Sequence, residues 1–176
     1  MSIEAKIKSA VRDVKNFPKD GIVFKDITPI LKSPGLCKEI VSVCCDNVSD
    51  IKPDAIACIE SRGFWFGLAI AQRLNIPLIP IRKLGKLPYE TNSYTYELEY
   101  GKATMEIHSD ALQKGWKVLV HDDLLATGGT ASAASELIKI QNATVAGYIF
   151  LVELTFLEGR ERLSKYGSPI VSLASY

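Results

Sequence analysis

The chain has 176 residues, of which 47% are hydrophobic and 23% are charged. This length favours one domain with a sizeable core, and the composition excludes a disordered chain. The 21 Lys and Arg residues and 20 Asp and Glu residues leave a net charge of +1. That balance excludes a global basic field, so neither a nucleic acid nor a membrane is expected as a partner.

The cysteines and the N-terminal residues indicate the cellular location of the protein. Cys37, Cys44, Cys45 and Cys58 form no Cys-x-x-Cys pair and have no histidine at zinc-ligand spacing, so we expect buried free thiols. The first residues lack the apolar core of a secretion signal. The longest apolar run, 145–152, is far shorter than the roughly 20 residues that span a bilayer. We therefore expect a cytoplasmic protein.

The first part of the chain predicts two helices. Apolar residues recur at helical spacing over 3–14, which predicts a helix that ends near Asn16. The stretch 22–27 follows an Asp-Gly turn and is expected to be irregular. Ser33 then fits the N-cap of a second helix, with Pro34 at its first position.

From residue 53 onward, short apolar runs alternate with helical patterns. Such runs are typical of parallel strands that are buried on both faces. The predicted strands are 54–59, 76–81, 117–121, 144–151 and 170–173. Helices are predicted over 64–74, from the end of the loop 122–129 to about residue 140, and over 158–165. The sequence thus predicts an α/β fold with a central, mainly parallel five-stranded sheet flanked by helices.

One segment interrupts this alternation. Residues 82–104 are polar, aromatic and punctuated by Gly and Pro. A long insertion in a compact α/β domain is usually a lid or binding loop, or else a two-stranded flap.

The stretch 117–130 carries the strongest chemical signal. An apolar strand ends in Asp122 and Asp123, and a loop rich in Thr and Gly then begins a helix. Ligands of parallel α/β sheets bind beyond the carboxyl ends of the strands, and a helix N-terminus favours a phosphate. We call this loop the phosphate loop; its residues are Ala126, Thr127, Gly128, Gly129 and Thr130.

The acidic pair restricts the ligand. Asp122 and Asp123 would repel a bare phosphate, but carboxylates accept hydrogen bonds from ribose hydroxyls. A ribose 5-phosphate unit satisfies both halves of the motif. The alternative is a capping Asp before a tight turn. Neither a GxxxxGK[ST] nor a GxGxxG motif is present.

This stretch resembles the motif with which type I phosphoribosyltransferases bind 5-phosphoribosyl 1-pyrophosphate (PRPP). Segments 16–29, 60–64, 82–88 and 96–101 are similar to those of the adenine-specific members, in the same order. The resemblance covers residue 12 to the end of the chain. It implies the type I phosphoribosyltransferase fold over one domain, 1–176, with a small N-terminal hood over about 1–32 and a flexible lid over about 82–104.

The resemblance also implies a reaction. Ribose 5-phosphate would pass from PRPP to N9 of adenine, giving AMP and pyrophosphate in purine salvage, with Mg²⁺ as cofactor and a homodimer as the assembly. Two alternatives remain open at this point: a phosphoribosyltransferase for another purine base, and a non-catalytic regulator that senses PRPP.

Site residues follow from the same resemblance. Pyrophosphate would be bound by Ser61, Arg62, Lys83 and Lys86, with a non-proline cis peptide expected at 60–61. Mg²⁺ would be held through PRPP and water, and Asp122 is the protein residue considered as a ligand. Arg62 is also expected to act in catalysis.

The family's base-binding and lid residues have counterparts here. Backbone groups of Val23 and Lys25 would face the 6-amino edge of adenine, and Phe24 would stack on its ring. Lys25 stands where many relatives have Arg, so a bidentate contact to phosphate is lost. Glu99 would be the general acid/base of the lid, next to Tyr100.

His121 lies directly before the acidic pair. Successive residues of a strand point to opposite faces of a sheet, so His121 and Asp122 are not expected to act together. We interpret His121 as a packed strand residue.

Overall fold

The computed structural model describes residues 1–97 and 101–176. Its strands are β1 (Arg12–Lys15), β2 (Val23–Asp26), β3 (Ala55–Ile59), β4 (Leu78–Lys83), β5 (Thr91–Glu97), β6 (Lys102–His108), β7 (Lys117–Leu125), β8 (Thr144–Glu153) and β9 (Ile170–Ser175). Its helices are α1 (Ile3–Ala10), α2 (Pro34–Asn47), α3 (Gly63–Leu74), α4 (Gly129–Ile140) and α5 (Gly159–Ser164).

The five predicted strands form the parallel core of one sheet. β3 pairs in parallel with β4 and β7, β7 with β8, and β8 with β9. Two antiparallel strands extend this core at the β4 edge, so the order is β5-β6-β4-β3-β7-β8-β9. The mainly parallel α/β fold is confirmed, and the sheet has seven strands where the sequence analysis expected five.

The central strand of the sheet, β3, is buried on both faces, as its continuous apolar run predicted. In β3, Ala55, Ala57 and Ile59 pack into the cluster on the α4 side, while Ile56 and Cys58 pack into the cluster with α1, α2 and α3. Every residue of β3 is buried. A strand with two buried faces reads as apolar throughout, because it has no solvent side to carry polar residues.

The insertion in the sheet forms a flap, which is the second of its two predicted forms. β5 and β6 pair antiparallel from Thr91 opposite His108 to Glu97 opposite Lys102. β6 also pairs with the end of β4. Residues 98–100, which include Glu99 and Tyr100, lie outside the described residues.

The N-terminal helix is shorter than predicted. α1 ends at Ala10, and the next residues form β1, which pairs with β2. Ion pairs join the two strands: Arg12 contacts Asp26 and Lys25 contacts Asp13. The expectations of a helix to Asn16 and an irregular 22–27 were therefore wrong, because residues 12–15 pair their backbone with 23–26, a tertiary contact that the local helical spacing does not reveal.

Two glycines set the distance between α3 and the sheet. A β-carbon at Gly67 would overlap the Sγ atom of Cys58, and one at Gly63 would lie 3.1 Å from Oδ1 of Asp122. Gly63 and Gly67 are four residues apart, so they share one face of the helix. This close packing places the first turn of α3 beside the end of β7.

The packing predicts the effect of Gly67→Ala. The added methyl group should lower the free energy of unfolding by about 1 to 3 kcal/mol through overpacking, measured by urea denaturation. Cys58→Ala in the same chain should recover most of this loss, because it removes the overlapping sulfur.

The control is Gly35→Ala in α2, where a β-carbon meets no atom within 4 Å. This change should leave stability unchanged or raise it, since Ala favours a helix over Gly. Equal effects of the two Gly→Ala changes would contradict the close packing of α3.

Candidate functional site

The carboxyl ends of the central strands meet at a cavity of about 220 Å³, which is called the larger cavity because it exceeds the second cavity of this site. It is lined by Glu60, Ser61, Arg62, Lys83, Asp122 and Asp123. The structure thus brings the predicted Ser-Arg turn and the acidic pair together from β3 and β7, which are adjacent in the sheet. The expected cis peptide lies between Glu60 and Ser61.

A second cavity of about 70 Å³ lies in the phosphate loop, and we call it the loop cavity. All five residues of the phosphate loop line it, together with Leu124, Leu125, Ala131, Phe150 and Asp122. Asp122 therefore borders both cavities. A ligand with anionic groups at its two ends would pass this carboxyl group in its middle.

The phosphate loop has the backbone that a helix N-terminus needs to bind an anion. α4 begins at Gly129, and Gly128 before it has a φ of 74°. A β-carbon at Gly128 would lie 2.7 Å from the carbonyl oxygen of Gly159, so this close approach requires glycine. The first amides of a helix have no partner within it and suit a phosphate.

Arg62 is held at the larger cavity by an ion pair. Its Nε donates to Oδ2 of Asp123 at 2.6 Å, and the Asp123 side chain is only 2% exposed. Arg62 also lies over the ring of Phe24, 5.3 Å from the ring centroid. β2 thereby brings Phe24, one of the predicted base-binding residues, to the edge of the site.

The side chain of Lys25 points away from the larger cavity. Its Nζ is 2.7 Å from Oδ1 of Asp13 and 4.1 Å from the ring centroid of Tyr176. Since Lys25 and Phe24 are neighbours on a strand, their side chains leave opposite faces. The Lys25 ammonium group is thus engaged away from the larger cavity, whereas its backbone remains in β2 beside the exposed Val23.

The basic residues of the 82–86 segment separate in the structure. Lys83 lines the larger cavity, but Lys86 does not. Arg82 donates from Nε to Oε2 of Glu60 at 2.6 Å and from Nη1 to the carbonyl oxygen of Lys86 at 2.8 Å. Of the two lysines predicted to bind pyrophosphate, the structure brings one to the cavity.

Asp122 has an unusual electrostatic environment. Burial and the adjacent Asp123 raise the pKa of its carboxyl group well above the ordinary value. Its Oδ1 accepts a hydrogen bond from the backbone N–H of Asp123 at 2.9 Å. A carboxyl group under these conditions gains from any ligand that donates hydrogen bonds or brings positive charge.

Among the described residues, no three His, Cys, Asp or Glu side chains are grouped to hold a metal ion by themselves. Mg²⁺ commonly binds through one or two carboxylates, water and substrate phosphates. Asp122, at the border of both cavities, fits that kind of site.

His121 is a packed strand residue, as predicted. Its side chain is fully buried, and Nδ1 lies 2.9 Å from the carbonyl oxygen of Ile149. A carbonyl oxygen only accepts, so Nδ1 carries the proton. Burial lowers the pKa of His121 to about 4, which keeps the ring neutral at pH 7.

Two side chains that the sequence analysis did not single out contact the phosphate loop. Nη1 of Arg162 is 3.4 Å from the carbonyl oxygen of Thr127, and the hydroxyl of Tyr96 is 3.2 Å from Oγ1 of Thr130. Both belong to elements distant from the loop in sequence. For Tyr96, the sequence offered one indication, since it lies in segment 96–101, which is similar to a segment of the adenine-specific family members.

The fold places both cavities at the carboxyl edge of a parallel sheet, where ligands of such sheets bind. A family model described as the phosphoribosyl transferase domain matches residues 25–170. The match includes the Ser-Arg turn, the acidic pair and the phosphate loop.

The names of individual relatives indicate a narrower activity than the family model does. The chain is 56% identical to the adenine phosphoribosyltransferase of Cytophaga hutchinsonii, over 99% of this chain and 96% of that protein. The crystal structure of the enzyme from Thermoanaerobacter pseudethanolicus matches with a TM-score of 0.94 and 46% identity, covering 98% and 99% of the two chains. The Saccharomyces cerevisiae enzyme, solved with an imino-altritol bisphosphate and adenine, matches with a TM-score of 0.90 and 39% identity, covering 97% and 98%. The chain belongs to the phosphoribosyltransferase family, among the adenine phosphoribosyltransferases.

No helix in the described parts of the chain, 1–97 and 101–176, is long and apolar enough to span a membrane. The cytoplasmic location stays a prediction from the sequence.

The environment of His121 predicts a pH dependence of stability. Its folded pKa of about 4 lies below the 6.5 of an unfolded histidine, so the unfolded chain binds a proton first as the pH falls. Stability should therefore decrease between pH 6.5 and 4, by roughly 2 to 3 kcal/mol from this group. Urea denaturation at pH 7 and 4.5 should show a smaller difference for His121→Val than for the wild type.

If His121→Val keeps the wild-type difference between the two pH values, the neutral buried ring is not its source.

Proposed function

We propose that the protein transfers ribose 5-phosphate from PRPP to N9 of adenine, giving AMP and pyrophosphate. The observation that carries the proposal is the pair of cavities that share Asp122. PRPP has a pyrophosphate at one end, a phosphate at the other and ribose hydroxyls between them. Its groups therefore match the larger cavity, the loop cavity and the acidic pair in order.

The larger cavity takes the leaving pyrophosphate. Displacement at the anomeric carbon passes through an oxocarbenium-like state, and the leaving group carries away the bonding electrons. Arg62 and Lys83 are the basic residues that line this cavity, and fixed cations stabilise charge as it develops. Asp122 would hold Mg²⁺ together with the pyrophosphate and water, and the ion would supply additional positive charge at the leaving group.

The phosphate loop and the acidic pair hold the ribose. Amides of the loop bind the 5-phosphate at the start of α4, with hydroxyl groups from Thr127 and Thr130. Asp122 and Asp123 accept hydrogen bonds from the ribose 2′ and 3′ hydroxyls. Anchoring the sugar at both ends fixes the anomeric carbon relative to the base, which lowers the entropic cost of the reaction.

The base is placed by the hood, residues 1–32. Phe24 stacks on adenine, and backbone groups of Val23 and Lys25 read its 6-amino edge. Phe24 already lies against Arg62, so a base on its ring would be next to the larger cavity. Pairing of β2 with β1 fixes this strand in position.

The lid, residues 82–104, covers the site within this single domain, with its strand β5 docked against α4. Glu99 acts as the general acid/base for the purine nitrogens, beside Tyr100, and Lys86 approaches the pyrophosphate when that group is bound. A closed lid keeps water from hydrolysing PRPP.

A product panel tests the proposed reaction. Purified protein is incubated with PRPP, Mg²⁺ and each of adenine, hypoxanthine, guanine and xanthine, and products are identified by mass. We expect AMP from adenine, because the chain lies among adenine-specific relatives. IMP or GMP alone would indicate another purine specificity, and no product would favour the PRPP-sensing regulator.

Glu99→Gln tests the lid carboxylate. The variant should lower kcat by about 100-fold, the usual range for a lost general acid/base, with little change in the KM for PRPP. Its matched control is Glu97→Gln, two residues earlier at the end of β5. Wild-type turnover by Glu99→Gln would contradict the assignment.

We further propose that the protein works as a homodimer. Trp65 and Leu68, three residues apart in α3, are 42% and 54% exposed, and Leu31, which lines a cavity together with Trp65, is 40% exposed. Exposed apolar side chains grouped in this way favour a protein partner, and a second copy is the one that the family suggests. Sedimentation should give the mass of two chains, and a monomer at micromolar concentration would contradict this proposal.

A further inference from the structure

β5 lies along α4, and hydrogen bonds join the two elements at both ends of the strand. At one end, Nε2 of Gln141 donates to Oδ1 of Asn92 at 3.1 Å. At the other end, the hydroxyl of Tyr96 is 3.2 Å from Oγ1 of Thr130. The second contact joins the flap directly to the phosphate loop.

The ring of Tyr96 also packs against the loop backbone. A β-carbon at Gly129 would lie 3.4 Å from Cε2 of Tyr96, so the ring covers this glycine closely. The hydroxyl group is therefore held over the first turn of α4 by ring packing as well as by its hydrogen bond.

The chemistry of the two hydroxyl groups makes this contact directional. Each hydroxyl has one hydrogen to donate. A phosphate dianion only accepts, so Thr130 must use its hydrogen for the phosphate when a ligand is bound. Tyr96 can then donate its own hydrogen to Oγ1 of Thr130, and the two hydrogen bonds form a chain that ends on the phosphate.

We propose that Tyr96 is a positioning residue for the 5-phosphate and acts through Thr130. By donating to Oγ1, it orients the threonine hydroxyl so that its hydrogen faces the phosphate. The inference rests on the proposed function, because it assumes that the phosphate loop binds a phosphorylated ribose.

The same contact links phosphate binding to the flap. If Tyr96 strengthens phosphate binding, a bound phosphate must strengthen the attachment of β5 by the same factor. Occupancy of the loop cavity would thus favour the docked flap, whose strands lead to the lid residues 98–100.

The first experiment measures the binding of ribose 5-phosphate by calorimetry, which needs neither adenine nor turnover. Tyr96→Phe keeps the ring and removes the hydroxyl. It should weaken binding about three- to tenfold, the effect of one hydrogen bond. Tyr94→Phe is the matched control, since Tyr94 lies on the same face of β5 and makes no hydrogen bond through its hydroxyl to any described residue; its affinity should equal that of the wild type.

A double-mutant cycle tests whether Tyr96 acts through Thr130. Thr130→Val removes the shared hydroxyl, so adding Tyr96→Phe to it should weaken binding no further. In Thr130→Ser, which keeps the hydroxyl, Tyr96→Phe should again cost about three- to tenfold. Equal effects of Tyr96→Phe in all three backgrounds would show that the residue acts by another route.

Hydrogen exchange provides a readout that ring packing alone would not change. Ribose 5-phosphate should slow exchange of the β5 amides, 91–97, in the wild type but much less in Tyr96→Phe. Wild-type affinity and protection in Tyr96→Phe would overturn the inference even if the enzyme makes AMP. Conversely, a protein that binds ribose 5-phosphate but makes no AMP would refute the proposed function and leave this test in force.

Discussion

The ion pair between Arg62 and Asp123 is the interaction on which the rest of the site depends. It joins the first turn of α3 to the end of β7 across 61 residues of sequence, and its carboxylate is 2% exposed. Removing Arg62 would leave the buried Asp123 carboxylate without its partner, although the Arg62 side chain is itself 36% exposed, so solvent screening keeps the cost below that of a fully buried pair. The pair is possible because Gly63 and Gly67 let α3 approach the sheet closely. Packing and charge together therefore place the pyrophosphate turn opposite the acidic pair.

The core of the fold could be predicted because its signals are local. Each parallel strand is a continuous apolar run, and each helix repeats its apolar residues on one face, so both are visible within short windows of sequence. The sequence predicted a helix where the structure has β1, because the partner strand β2 lies outside the short window in which helical spacing is judged. The ion pairs Arg12–Asp26 and Lys25–Asp13 join the two strands only in the folded structure. The antiparallel edge formed by β5 and β6 remained one of two predicted forms for the same reason, since its pairing is set by tertiary contacts.

The predictability of the site follows the same division. The phosphate loop and the acidic pair are contiguous, so sequence alone was enough to group them. Arg162 and Tyr96 contact the loop from α5 and β5. Contacts between residues so far apart in the chain cannot be predicted from a short sequence pattern. The structure also separates side chains that the resemblance assigned to the site, because the Lys25 ammonium group is paired with Asp13 and Lys86 does not line the larger cavity.

We infer that two cavities sharing one carboxyl group hold the two ends of a single substrate. The most direct measurement is a calorimetric titration of pyrophosphate, with Mg²⁺, into protein already saturated with ribose 5-phosphate. Separate cavities predict that pyrophosphate still binds with one site per chain, and that ribose 5-phosphate is not displaced. Mutually exclusive binding of the two ligands would contradict the account.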